Sequence, residues 1–187
     1  MNTKTLALMG LLVTGAIANA VTFDFTVSFN NALSVDGYGD PLNTVAVFDM
    51  DDYFAYSNYK VVGIGWDVDL YADSPSWLSE LVLASETSDQ ANGVWLTPGI
   101  GDDFSGAASY TSGGVIDLVP YALDFNLLAD NKLRLELFEG YDDYPDDWDG
   151  IWTTGTVTYR MEAVPEPASV IALGAGLALV ARRRRSK

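Results

Sequence analysis

The 187 residues include no cysteine and no histidine. Without cysteine there is no disulfide, no thiolate nucleophile and no thiolate-bound metal, so the fold must stand on its core alone. Without histidine the commonest general base at neutral pH is missing. The Ser-His and Cys-His nucleophile systems and His-bound zinc go with it. Positive charge is scarce through most of the chain. Residues 21–164 hold four basic residues (Lys60, Lys132, Arg134 and Arg160) against 25 acidic ones, a formal charge of −21. That sign repels phosphates, which excludes nucleic acid as a partner and direct docking on anionic membrane surfaces. It suits solubility, cation binding or a saline medium. Internal repeats, low-complexity tracts and any linker that would divide residues 21–162 are absent too.

What is present begins at the two ends. Lys4 is followed by an apolar run, Leu6 to Ile17, and then by Ala18-Asn19-Ala20. A basic start, a short apolar segment and small residues two apart form a secretory signal peptide over residues 1–20, with Ala18 and Ala20 fitting signal peptidase and the mature chain starting at Val21. At the other end, Pro165 and Pro167 bracket Glu166, an extended and accessible triplet that a processing enzyme can grip. Val170 to Ala181 is apolar and uncharged, and Arg182, Arg183, Arg184 and Arg185 follow at once. Arginines beside an apolar helix stay on the cytoplasmic side. Twelve residues span about 18 Å, short of the roughly 30 Å hydrocarbon core, so bilayer thinning and arginine snorkelling would have to close the gap.

Val164-Pro-Glu-Pro-Ala-Ser169, the short Gly/Ala/Leu-rich segment and the terminal arginines closely resemble the PEP-CTERM sorting signal of bacterial exosortase substrates. The resemblance covers residues 163–187. It implies export, transient inner-membrane anchoring through the C-terminal helix and cleavage near Pro165–Pro167 by exosortase. It further implies release to, or attachment at, the cell surface or extracellular matrix, in settings linked to exopolysaccharide and biofilm.

Residues 21–162 read as strands. Phe23, Phe25, Val27 and Phe29 alternate with polar residues, as do Ile64, Trp66, Val68 and Leu70, preceded by Val62, and then Leu133, Leu135 and Leu137. Shorter strands are expected at 44–48, 80–85 (where helical spacing fits as well), 94–96, 115–125 and 156–161. Asp73-Ser-Pro-Ser76, Asn92-Gly93 and Asp130-Asn131 supply turns, and 98–114 and 141–150 read as loops. About eight short strands and no clear helix predict an all-β domain, an antiparallel β-sandwich or jelly roll. Phe25, Ile64, Trp66, Leu135 and Val157 should be buried.

Two features carry candidate chemistry. Asp142, Asp143, Asp146, Asp147 and Asp149 crowd one loop. Such a loop is either a calcium ligand set, since calcium takes six to eight oxygens, or a solvated segment. Its spacing is not that of an EF-hand. Tyr144 and Trp148 sit in the same loop and are the aromatics best placed to stack on the sugar rings of a polysaccharide. No nucleophile motif or phosphate loop is found, and a carboxylate pair means little among so many acids. The sequence therefore predicts a non-enzymatic exported protein of structural or adhesive type, with a carbohydrate-binding module as the alternative and a secreted hydrolase behind it.

Overall fold

The computed structural model describes residues 20–144 and 147–164. Among them ten strands form two antiparallel sheets: β1 (Val21–Ser34), β2 (Thr44–Asp49), β3 (Ser57–Ala72), β4 (Leu81–Thr87), β5 (Gly93–Leu96), β6 (Gly106–Thr111), β7 (Ile116–Asp117), β8 (Phe125–Asn126), β9 (Lys132–Glu139) and β10 (Gly150–Val164). One sheet runs β1-β10-β3-β6, with the short β7 and β8 also on β3; the other runs β2-β9-β4-β5. Successive long strands pass back and forth between the sheets, which is the winding of a jelly roll. Among the described residues no helix is long and apolar enough to cross a membrane.

The inward rows explain why these strands form. Leu133, Leu135 and Leu137 of β9 share one core with Val157, Tyr159 and Met161 of β10, and Trp152 is fully enclosed there. A buried hydrogen bond of 2.8 Å between Ser85 and Tyr159 hydroxyls ties the sheets together. Phe25, Ile64, Leu135 and Val157 are buried as expected, but Trp66 is only half-buried, at the rim of the core. Val62 departs as well. It is an extra residue between the pairs Val61–Met161 and Gly63–Arg160, so the inward row is Tyr59 and Val61, then Ile64 onward.

Strand β6, within the expected 98–114 loop, is the main element the pattern did not signal. Its Gly-Ala-Ala-Ser-Tyr-Thr sequence alternates, but small side chains carry most of the alternation. The expected 115–125 strand is instead two short bridges around a 3-10 turn at Val119–Tyr121, where Pro120 lacks the donor a ladder needs. Strand β4 is buried on both faces, which is why strand and helix spacings both fitted it. Strand β10 begins six residues before and ends three residues after the expected 156–161, because Gly150 and Ile151 pair with Ser34 and Leu33 at one end and Glu162 and Ala163 with Thr22 and Val21 at the other.

Candidate functional site

The end of the sandwich where β1 finishes is acidic. Four segments meet there: Ser34–Asp36, the Asp73–Glu80 connection, the end of β9 at Glu139, and the loop from Gly140 to Asp149. Backbone bonds knit them together. The Asp149 amide donates to the Ser34 carbonyl (3.2 Å), Asp73 to Asp149 (2.8 Å), Glu139 to Asp36 (2.9 Å) and Gly140 to Glu80 (2.7 Å). Gly150 has no room for a side chain, since a Cβ there would lie 2.6 Å from Leu81. That contact holds Asp149 against the body of the domain.

Glu139 is the central oddity. It continues the inward row Leu133-Leu135-Leu137 and is 2% exposed, yet neither carboxylate oxygen has a hydrogen-bond partner. Asp149 is fully buried. Its Oδ2 accepts from the Asp143 amide at 2.7 Å, whereas Oδ1 has no partner. Asp142 Oδ1 is likewise enclosed and unpaired. The buried hydroxyls of Ser34 and Ser76 lie beside Glu139 and Asp149 respectively, but neither completes a well-formed bond. Burial, then the neighbouring Asp149, Glu80 and Asp142, pushes Glu139 up to about 8. Burial also raises Asp142, Asp149 and Glu80.

No basic residue offsets this charge among the described residues. Lys60 pairs with Asp124, Arg160 with Asp24, and Arg134 with Glu86 and Glu136. Lys132 stands at the opposite end of β9 from Glu139. As the side chains lie, no three ligand-type groups among the described residues stand close enough to enclose an ion.

The expected loop residues thus divide. Asp142, Asp143 and Asp149 turn toward the pole, while Asp147 is exposed and accepts from the Trp148 amide at 2.8 Å. Asp146 lies outside the described residues, as do Ala18, Pro165, Glu166, Pro167 and Arg182 to Arg185. Ala20 is exposed immediately before β1. Glu139, Glu80 and Asp36 join the cluster although loop composition did not single them out. The signal that could have found Glu139 is its phase, an acid at a position that should be apolar. The Tyr144 hydroxyl donates to the Ser74 carbonyl while its ring stays partly exposed, and Trp148 packs on Tyr71 with ring centroids 6.4 Å apart.

A different aromatic is presented to solvent. Trp95 of β5 is 62% exposed and sits 5.2 Å from Tyr38 and 5.0 Å from Phe138, centroid to centroid. A shallow groove beside it is lined by Tyr38, Glu86, Gln90 and Asn92. The Asp36–Asn43 loop that brings Tyr38 here is pinned to the outer face of its sheet. Glu136, fully buried, accepts from the Gly39 amide (2.7 Å) and the Asn43 amide group (2.9 Å), and Glu86 accepts from the Tyr38 hydroxyl (2.7 Å). Arg134 bridges Glu86 and Glu136. Burial and the bond to Glu86 push Tyr38 up to about 12.

Comparison with known proteins finds one family. Residues 163–185 match the PEP-CTERM protein-sorting motif, so the C-terminal signal is present and marks an exported, exosortase-sorted chain. No curated protein matches the chain. Among solved structures, Desmodium yellow mottle tymovirus is similar at 10% identity over 88% of this chain and 96% of that one, with a TM-score of 0.30. Turnip yellow mosaic virus is similar at 10% identity over 88% and 90%, with a TM-score of 0.28. Macrobrachium rosenbergii nodavirus is similar at 9% identity over 89% and 60%, with a TM-score of 0.34. Likeness this slight says nothing about what the chain binds or assembles into.

Proposed function

We propose that the chain is a non-enzymatic surface or matrix protein, delivered as a precursor and cut at both ends by signal peptidase and exosortase. One observation carries the reading. The jelly roll spans the interval between the two processing segments, with β1 opening at Val21, directly after Ala20, and β10 ending at Val164, inside the sorting motif and directly before Pro165. Neither cut would remove a core residue. Arg182–Arg185 hold the tail on the cytoplasmic side while Pro165-Glu166-Pro167 is offered at the outer face, because moving four guanidinium groups across costs far more than stopping. The absence of histidine and cysteine supports a role in binding or scaffolding over catalysis. Intact-mass analysis of protein from native cells should find a chain that starts at Val21 and lacks Val170–Lys187. Recovery of the Lys187 peptide on the surface-localised protein would show that the tail is a plain anchor.

The Trp95 groove favours a second reading, in which the domain holds the polysaccharide of the matrix. An exposed indole flanked by the amide side chains of Gln90 and Asn92 offers a stacking face and hydrogen bonds to one sugar ring. On a glycan array, Trp95→Ala should lose at least tenfold in affinity while its circular dichroism is unchanged. Tyr144→Ala, by contrast, should bind as the parent does. Equal binding by the Trp95→Ala variant would remove this groove from consideration.

A further inference from the structure

We propose that the acidic pole is a binding site for a hard divalent cation, calcium, held by the carboxylates of Glu139, Asp149 and Asp142 with the Ser34 and Ser76 hydroxyls beside them. Acidic loops are common in a chain of this charge and by themselves mean nothing. Glu139 is different because it does not lie in a solvated loop. It enters from the core-facing row of β9, is 98% enclosed, and both its oxygens lack partners. Burying a carboxylate without a hydrogen bond or a countercharge is among the costliest arrangements a fold can contain. Here Asp149, buried as deeply and with one oxygen free, lies close by, and Asp142 adds another enclosed, unpaired oxygen. Two buried serine hydroxyls stand unpaired next to them. Every lysine and arginine among the described residues is committed elsewhere or stands at the other end of a strand. The missing partner is therefore a cation that the chain does not supply.

The donors identify its class. They are all oxygen, from carboxylates and hydroxyls, and the chain offers no nitrogen or sulfur ligand in the form of histidine or cysteine. That set suits calcium, which accepts six to eight oxygens in irregular geometry. Magnesium demands a regular octahedron at shorter distances, and zinc prefers nitrogen and sulfur. Since the carboxylates do not yet enclose an ion as they lie, binding must rotate them inward and draw the four converging segments together. The ion would act structurally, completing the fold at this end of the sandwich. The inference stands on the buried pole alone and is independent of how the chain is sorted.

The test uses the full chain in mild detergent, stripped with chelator. Addition of 1 mM calcium chloride should raise the melting temperature by about 5 °C or more, since a ligand of the native state stabilises it by mass action. Titration calorimetry should show saturable heat. Magnesium at the same concentration should give less than half the shift. Glu139→Gln keeps the shape and removes the charge, so it should melt no lower than the parent without metal and lose at least tenfold in calcium affinity. Asp142→Asn, only half-buried and safe for folding, should weaken binding likewise. Asp147→Asn, in the same loop but facing solvent, should respond as the parent does. The proposal is overturned by a parent chain that shows neither shift nor heat, by Glu139→Gln or Asp142→Asn binding with parental affinity, or by Asp147→Asn losing the response. An equal response to magnesium would overturn the assignment to calcium.

Discussion

Arg134→Met should lower the unfolding free energy by about 3–5 kcal/mol, the cost typical of removing one partner from a buried ion pair. Methionine retains most of the arginine stem, so little packing is lost. What is lost is the guanidinium that pairs with both Glu86 and Glu136, whose side chains are 4% and 0% exposed. Two carboxylates would then face one another in the low dielectric beneath the Asp36–Asn43 loop. Moving apart, they would strain or break their hydrogen bonds to Tyr38, Gly39 and Asn43. In a domain of this size the melting point should fall by roughly 10–20 °C. Arg134→Lys keeps the charge without the two-pronged fork and should lose less. Adding Glu86→Gln and Glu136→Gln to Arg134→Met should recover much of the loss. A single-variant cost below about 1 kcal/mol would mean the pair is effectively solvated.

Without metal, the protein should become less stable as pH rises from 5 to 8, the reverse of ordinary acid denaturation. The sign follows from Glu139, whose carboxyl stands near 8 in the folded chain against an ordinary 4.5. Between those values the folded state holds a proton that the unfolded chain has released, so raising pH favours unfolding. The stabilisation is fully present below about 4.5 and gone above about 8. Each pH step of one between those limits is worth about 1.4 kcal/mol, so Glu139 accounts for something on the order of 3–5 kcal/mol. Asp149, Asp142 and Glu80, which face it from the adjoining loops, move in the same direction. Asp89 and Asp124, held low by Thr87 and Lys60, act in the opposite sense but titrate below this window. Urea unfolding in chelator at pH 5, 6.5 and 8 measures the slope. Glu139→Gln should flatten it, and stability that is level or rising across that range in the parent would refute the assignment.

The long strands were legible because large side chains mark their inward rows: Phe23 to Phe29, Ile64 to Leu70, Leu133 to Leu137. Strand β6 was not, since the inward row of this small-residue edge strand is Gly106, Ala108 and Tyr110, and edge position is decided by which neighbour arrives, not by local composition. The candidate site divides in the same way. Clustered aspartates between 142 and 149 are plain in the sequence, but which of them turn inward depends on Ser34, Glu80 and Leu81, far away in the chain. Glu139 carried a local signal, its phase with three core leucines, that an eye trained on loops passes over. Arg134 and Glu136 occupy the phase that a half-exposed strand gives to solvent. Only the return of the Asp36–Asn43 loop over that face makes them interior, and such long-range coverage leaves no trace in a window of neighbours.

The position of β10 in its sheet sets a clock. It lies between β1 and β3, with Val21 opposite Ala163 at one end and Ser34 opposite Gly150 at the other. The first and last strands of the domain are thus neighbours, and the central ladder has a gap until the final segment is delivered. The sorting motif begins at residue 163, where the last rung closes. Completion of the central ladder therefore waits on the residues that lead into that motif, and the topology makes the closing of the domain depend on the last stretch of chain before the tail.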